Sequence, residues 1–267
     1  MFEEIGDALI KLLPFASATL ESSFATALLG AFFGAAAANY FSVRNARRNS
    51  LQERLLASNA ATNFAIASFN HAIGFKAQLR AVLYENYFVD RERYISFLNN
   101  EDAEKKAFTI QYDFSPVRGF NTNAEKLLEL VSHKAGASQK ATVAAANLVQ
   151  ILASLEAFLS KRTEELSRLA REKAECGDEE FAHRFFGLEE PDGNIDTRLH
   201  DAVSAIRQHL EDAIFFSAYI AGKLSEQNQM LSRDIGKASP DPATFVVDEN
   251  RLKDLMPKRS DYSDWTE

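Results

Sequence analysis

Residues Glu180 and His183 have the spacing with which one class of helical proteins binds iron. In four-helix proteins with a di-iron centre, a Glu-x-x-His pattern places a carboxylate and an imidazole on one side of a helix, where both reach the metal. That centre also requires a second Glu-x-x-His pattern and two further glutamates on facing helices. The sequence has no second copy of the pattern. We therefore predict no metal site.

Other sequence patterns for catalysis and cofactor binding are absent. The chain has no Gly-rich phosphate loop, no Walker motif, no His-Glu-x-x-His and no Gly-x-Ser-x-Gly. The single cysteine, Cys176, excludes a disulfide framework and a zinc site built from cysteines. We predict that the protein is not an enzyme and has no catalytic residue and no cofactor. The alternative is an enzyme whose site is assembled from dispersed carboxylates and histidines.

A further pattern predicts contact between helices, because small side chains recur at every fourth position near the N-terminus. These residues are Ser22, Thr26, Gly30, Gly34 and Ala38. Every fourth residue lies on one side of a helix, and a Gly-x-x-x-Gly pair lets two helices approach closely in lipid. We predict that this row is a helix–helix contact in a membrane and that the protein is a homo-oligomer. The alternative is that the row only reflects the high glycine and alanine content of membrane helices.

The element that must position this row is the run Ser22 to Val43, which contains no charged side chain. As a helix rising about 1.5 Å per residue, the run is long enough to cross a hydrocarbon core of roughly 30 Å. A buried core helix and a cleaved signal peptide are the alternatives. A signal peptide begins with basic residues, whereas this chain begins with Glu3, Glu4 and Asp7. We predict a transmembrane helix over residues 22–43.

The charges on either side of the run predict its orientation. Four arginines follow it, namely Arg44, Arg47, Arg48 and Arg54. Arginine and lysine are retained on the cytoplasmic side of a membrane. We therefore predict a single-pass protein of the bacterial inner membrane with its N-terminus outside, and expect the basic cluster to lie at the membrane surface. Residues 1–21 are predicted to form an amphipathic segment at the outer interface.

Residues 44–235 are predicted to form a cytoplasmic antiparallel bundle of long helices. Leucines recur at heptad-like steps from Leu148 to Leu169, and apolar residues do so from Leu199 to Leu231. Between Leu55 and Phe75 the sequence has no acidic residue, lysine or arginine on any face, which is typical of a buried helix. A second membrane span is the alternative for that stretch. The predicted fold class is all-α.

Two segments do not fit the helical pattern. Residues 107–114 alternate like a β-strand but lack a clear partner, so an extended loop is the alternative. Residues 236–267 contain three prolines and mixed charge, and we predict a tail that is mostly disordered or draped over the body. Its apolar residues 245–247, Leu252, Leu255 and Met256 are a candidate docking motif.

Composition limits the choice of function. The net charge of −8 argues against nucleic acid as a partner. We predict a membrane-anchored helical interaction protein, acting as a scaffold, sensor or regulator through self-association and binding of a protein partner at the cytoplasmic face of the lipid bilayer. The alternative from another class is a membrane-perturbing effector of the phage-exclusion or toxin type, whose span oligomerises.

Overall fold

A computed structural model of the chain describes residues 23–100, 108–119, 122–237, 239–252 and 254–266. Within these ranges the chain is helical and has no β-strand, only an isolated bridge between Glu189 and Ile195. The predicted all-α fold class is confirmed. The predicted amphipathic segment 1–21 and Ser22 lie outside the described residues.

Helices make up most of the described residues. They are α1 (Ser23–Leu79), which continues as a π-helix (Arg80–Phe88), α2 (Val89–Leu98), α3 (Ala124–His133), α4 (Gln139–Glu172), α5 (Asp178–Phe186), α6 (Arg198–Ile235), α7 (Glu249–Leu252), a 3₁₀ turn (Arg259–Tyr262) and α8 (Ser263–Thr266). The chain divides into two compact units, one up to Gln52 and one from Glu53 onward, which we call the body.

Helices α4 and α6 form an extensive contact in the body, and they run antiparallel. Arg168 near the end of α4 pairs with Asp196 just before α6, with Nη2 and Oδ2 2.7 Å apart. At the other end, Gln227 late in α6 donates to the carbonyl of Ala135, which precedes α4, over 2.6 Å. The two leucine-rich stripes that the sequence predicted face this contact, and Leu155 and Leu210 are buried there. The predicted helical bundle is confirmed.

The second half of α1 completes the core of the body. Residues 55–79 bury one side of the helix, including Leu55, Phe69 and Leu79. This stretch runs antiparallel to α6, because Thr62 meets Asn228 and Lys76 meets Glu211 further along. The buried-helix interpretation of residues 55–75 therefore holds for one side of the helix, whereas Leu56, Asn63 and Asn70 on the other side are exposed.

Local signals in the sequence explain where the shorter elements begin and end. Ser138 caps the start of α4, since its Oγ accepts from the backbone N–H of Ala141 over 3.3 Å. Helix α5 ends at Gly187, whose φ of 65° is left-handed. A Cβ at this position would lie 2.8 Å from the Cβ of His200, so that both the backbone angle and the close approach favour glycine.

Residues 107–114 were predicted to be a strand or an extended loop. The structure describes residues 108–119, which form an extended segment that packs on the body and pairs with no described strand. Tyr112 lies edge-on to Phe181 and Phe185, with ring centroids 4.8 and 4.9 Å apart. The buried guanidinium of Arg162 donates to the carbonyl of Ser115 over 3.0 Å. Aromatic packing and this one buried cation therefore hold the segment, in place of a β-ladder.

The described part of the C-terminal segment lies against the body. Tyr262 stacks on Phe215 with ring centroids 3.9 Å apart, and Trp265 lies edge-on to Phe216 at 4.9 Å. Of the two arrangements that the sequence left open for residues 236–267, the structure has the draped one.

Candidate functional site

The first unit contains a helical surface that is apolar and exposed. All side chains from 27 to 50 are exposed, and none from 27 to 43 is charged. Seven of them are large and apolar: Leu28, Leu29, Phe32, Phe33, Tyr40, Phe41 and Val43. Phe32 alone is 67% exposed. A contiguous exposed apolar surface of this kind marks a site that contacts lipid or another protein.

The exposed stretch has two different sides. Helical spacing places Leu28 and Phe32 on one side and the small residues Gly30 and Gly34 on the other. Ala38 continues the small row, Thr26 also lies on α1, and Ser22 is outside the described residues. Apart from the helix's own backbone, no described atom lies within 4 Å of where a Cβ would stand on Gly30 or Gly34. The small side is therefore open to close approach by a second helix.

The predicted basic cluster follows directly on the same helix. Arg44, Arg47 and Arg48 are exposed in the first unit. Arg54 belongs to the body, where its Nη2 donates to the carbonyl of Gly136 over 3.5 Å. The three arginines of the first unit make no ion pair with a described residue, so their charges are available to an anionic surface.

The Glu180 and His183 pattern does not form a pair of metal ligands. Glu180 Oε1 lies 2.5 Å from Arg184 Nη2, and the buried His183 donates its Nδ1–H to the carbonyl of Glu189. His183 Nε2 has no hydrogen-bond partner and is enclosed, with the ring edge-on to Tyr94 at 5.8 Å. Across the described ranges, no group of three or more His, Cys, Asp or Glu side chains is placed to hold a metal ion.

A cavity of about 740 Å³ lies beside α5 and is walled by aromatic rings. Asp178 and Glu179 reach it from the first turn of α5, and Lys173 Nζ lies 4.6 Å from the centroid of Tyr112. Burial, with the charge of Glu179, raises the pKa of Tyr94 to about 12, so this hydroxyl stays protonated at neutral pH. The cavity offers shape and charge for binding, and the raised pKa of Tyr94 does not suit this residue to act as a base.

A buried ion pair at the end of the uncharged stretch was missed by sequence reasoning. Lys76 is 6% exposed, and its Nζ lies 2.7 Å from Glu211 Oε1 and 2.9 Å from the carbonyl of Leu255. Tyr84 also donates to Glu211, over 3.3 Å, from the π-helix that follows α1. The only sequence signal was that Lys76 is the first charge after the uncharged run. Nothing in the sequence pointed to its partner.

The body also has a groove between α1 and α6 that holds an extended part of the C-terminal segment. The Asn59 side chain donates to the carbonyl of Asp241 over 2.9 Å and accepts from the N–H of Ala243 over 2.8 Å. From the other wall, Asn228 donates to the carbonyl of Ala243 over 3.1 Å. Two side-chain amides therefore pair with a peptide backbone, as a neighbouring strand would.

The groove continues with one aromatic contact. The N–H of Phe245 donates to Ser225 Oγ over 3.1 Å, and its ring lies edge-on to Phe69 with centroids 5.3 Å apart. We call the surface formed by Asn59, Phe69, Ser225 and Asn228 the tail groove, and residues 239–248 the tail segment. Sequence analysis had marked residues 245–247 as a candidate docking motif but had not identified the residues that receive them.

Comparison with known proteins gives no relative. No family model, no curated protein and no solved structure matches this chain. Among the described residues, one helix is long and apolar enough to cross a membrane by length and composition, and it is α4, Gln139–Glu172. That measure does not select α1. The span at residues 22–43 therefore stays a prediction.

Proposed function

We propose that the protein is a membrane-anchored interaction protein. The apolar stretch of α1 crosses the bacterial inner membrane once, and the body lies in the cytoplasm, where it self-associates and binds a protein partner. One observation carries the proposal: seven large apolar side chains are exposed on a helical stretch without charge. Leaving such side chains in water costs roughly 1.5–3 kcal/mol each, and a hydrocarbon environment removes that cost.

The competing helix α4 is less suited to a membrane. Its buried side includes Leu148, Leu155 and Leu169, which pack in the core of the body. It also holds the buried Arg162, whose guanidinium is paired with a backbone carbonyl of the body. Transfer of α4 into lipid would remove one wall of the core and expose a cation to hydrocarbon. The exposed stretch of α1 has neither obstacle.

The orientation rests on the arginines that follow the span. We expect a green fluorescent reporter fused after Glu267 to be active, and alkaline phosphatase at the same position to be inactive, because the positive flank stays in the cytoplasm. The control replaces Arg44, Arg47 and Arg48 by Glu, which should reduce this bias. Active alkaline phosphatase in the unaltered protein would overturn the orientation, and recovery of the chain in the soluble fraction would overturn the anchor.

A second experiment, with purified protein, distinguishes an interaction protein from one that damages membranes. Purified protein inserted into vesicles should leave a trapped dye inside, because no charged side chain of residues 27–43 is present to line a pore. Rapid release of the dye would instead favour the effector type of function.

A further inference from the structure

The tail groove recognises its occupant mainly through the peptide backbone. Asn59, Ser225 and Asn228 make four hydrogen bonds with the tail segment, and each of these four joins a side chain to a backbone carbonyl or N–H group. The Phe245 ring adds one side-chain contact, with Phe69. Pairing with the backbone of an extended segment is also how proteins bind peptides by strand addition.

We propose that the tail groove is a peptide-binding site and that it also takes the tail segment of a second copy of this chain. A segment from a second copy offers the same backbone groups and the same phenylalanine, so every contact of the groove is reproduced. Exchange of an identical element between copies is an inexpensive route to a dimer, since no new interface has to arise. The groove thus provides self-association through the body.

The connection between α6 and the tail segment allows this exchange. The chain reverses its direction directly after α6, at Gly236, whose φ is 80°. This single turn brings Ala243 back beside Asn228, which is about 10 Å before the end of the helix at 1.5 Å per residue. Glycine adopts extended angles as readily as this one. An open turn at Gly236 directs the segment away from its own groove and toward a neighbour.

An empty groove is unfavourable, which makes exchange preferable to simple release. Asn228 is fully buried and has a partner in the tail segment. Without the tail segment, Asn228 loses this hydrogen bond and the Phe69 ring loses its contact with Phe245. A second copy restores all of these contacts. Its local concentration is high where copies share a membrane, and this step alone rests on the proposed anchoring.

The first experiment tests whether the segment is exchangeable. A site for a sequence-specific protease is inserted after Lys237 in the full chain, the purified protein is cut, and a fluorescent peptide of residues 239–267 is added. We expect the cut protein to remain folded by circular dichroism and to incorporate the peptide, by fluorescence anisotropy, at least about tenfold more than the uncut protein, whose own segment competes at high effective concentration.

Two matched controls define the site. The peptide with Phe245→Ala, and the cut protein with Asn59→Ala, should each incorporate far less, whereas a peptide with the exposed Val246→Ala should behave like the original. Loss of the folded state on cutting would overturn the proposal, because the segment would then be a fixed part of the core. A folded, cut protein that takes up no peptide would overturn it as well.

The second experiment tests the second copy as occupant. A photoreactive phenylalanine derivative replaces the exposed Thr244 in one tagged copy, which is co-expressed with a differently tagged copy. We expect irradiation of membranes to join the two tags, and the Phe69→Ala change in the second copy to reduce that product. Peptide uptake without a cross-link between copies would show a groove that serves only its own chain. Peptide uptake by a protein found outside the membrane fraction would overturn the anchoring and leave the groove standing.

Discussion

Two stretches of the same helix differ in burial although both lack charge. Residues 27–43 of α1 are exposed throughout, whereas residues 55–75 include Leu55, Ala65 and Phe69 in the core of the body. The two stretches differ in whether their large side chains are covered by other parts of the protein. In the first stretch, Leu28 and Phe32 are exposed, and no described residue of another element covers them.

Polar residues show the contrast most clearly. In the buried stretch, Asn59 and Thr62 have hydrogen-bond partners on other elements of the body. In the exposed stretch, Asn39 is accessible and stands near the basic end of the run, where a span meets the headgroups. The partners of Asn59 and Thr62 therefore distinguish the buried stretch from the exposed one. The predictions below are ordered from the largest expected effect to the smallest.

Charges placed in the exposed stretch should abolish membrane attachment. Each arginine near the centre of a span costs roughly 2.5–3.5 kcal/mol, so Leu29→Arg with Phe33→Arg should cost about 5–7 kcal/mol. We expect the variant to leave the membrane pellet on extraction at alkaline pH. The matched control, Leu29→Ile with Phe33→Leu, should stay in the pellet. Full retention of the arginine variant would show that this stretch is not in hydrocarbon.

Shortening a side chain in the core should destabilise the body, whereas shortening a side chain in the exposed stretch should not. Leu155→Ala or Leu210→Ala should lower the free energy of unfolding by about 2–5 kcal/mol, because both side chains are at most 2% exposed. Leu28→Ala is the control and should change this free energy little. Urea titration followed by circular dichroism measures all three. Equal effects at Leu28 and Leu155 would mean that the two stretches are wrongly distinguished.

The buried side of a helix could be predicted from the sequence where apolar residues repeat along that helix. The leucine stripe of α4 and the apolar stripe of α6 each announce a buried side, because the spacing reports on a single element. The absence of charge in residues 55–75 also indicated that this helix packs in the body, although only one of its sides is buried. The helix boundaries at Ser138 and Gly187 depend on these residues themselves, so a sequence can indicate boundaries of this kind.

Contacts between distant parts of the chain could not be predicted. Lys76 and Glu211 are separated by 135 positions, and Asn59 and Ala243 by 184, and no periodicity connects such pairs. The π-helix over Arg80–Phe88 was likewise missed, because its sequence looks like that of an ordinary helix. The hydrogen bonds of its Tyr84 and Tyr87 hydroxyls, to Glu211 and to the carbonyl of Phe185, also join distant parts of the chain. The tail groove depends on pairs of this kind, which is why the sequence indicated a docking motif without its receptor.

Association through the span should depend on the small side of the exposed stretch. Replacing Gly30 and Gly34 by Ile would hold two helix backbones apart, and close packing is the main attraction between helices in lipid. We expect the association free energy of the span to weaken by about 1–2 kcal/mol, the scale of helix contacts in membranes. Ala36→Ile, on the opposite side, is the control. Unchanged association in a reporter assay within the membrane would show that only the body holds copies together.

Acid should weaken the body and leave membrane attachment unchanged. The pKa of Asp196 falls from 3.8 to about 2, first because Arg198 hydrogen-bonds its carboxylate and further because Arg168 lies beside it. A lowered pKa in the folded state stabilises the protein above pH 4, and this contribution is lost as the pH falls from about 4 toward 2.

Two variants, each at one aspartate, test whether Asp196 causes this dependence of stability on pH. Asp196→Asn should lower stability at neutral pH and flatten its dependence on pH in that window, whereas the exposed Asp234→Asn should change neither. Residues 27–43 contain no carboxylate and no histidine, so retention in the membrane pellet should be the same at pH 3 and pH 7. Urea titrations at several pH values give the first result and fractionation gives the second. Release from the membrane in parallel with unfolding of the body would show that the body, and not the exposed stretch of α1, holds the protein at the membrane.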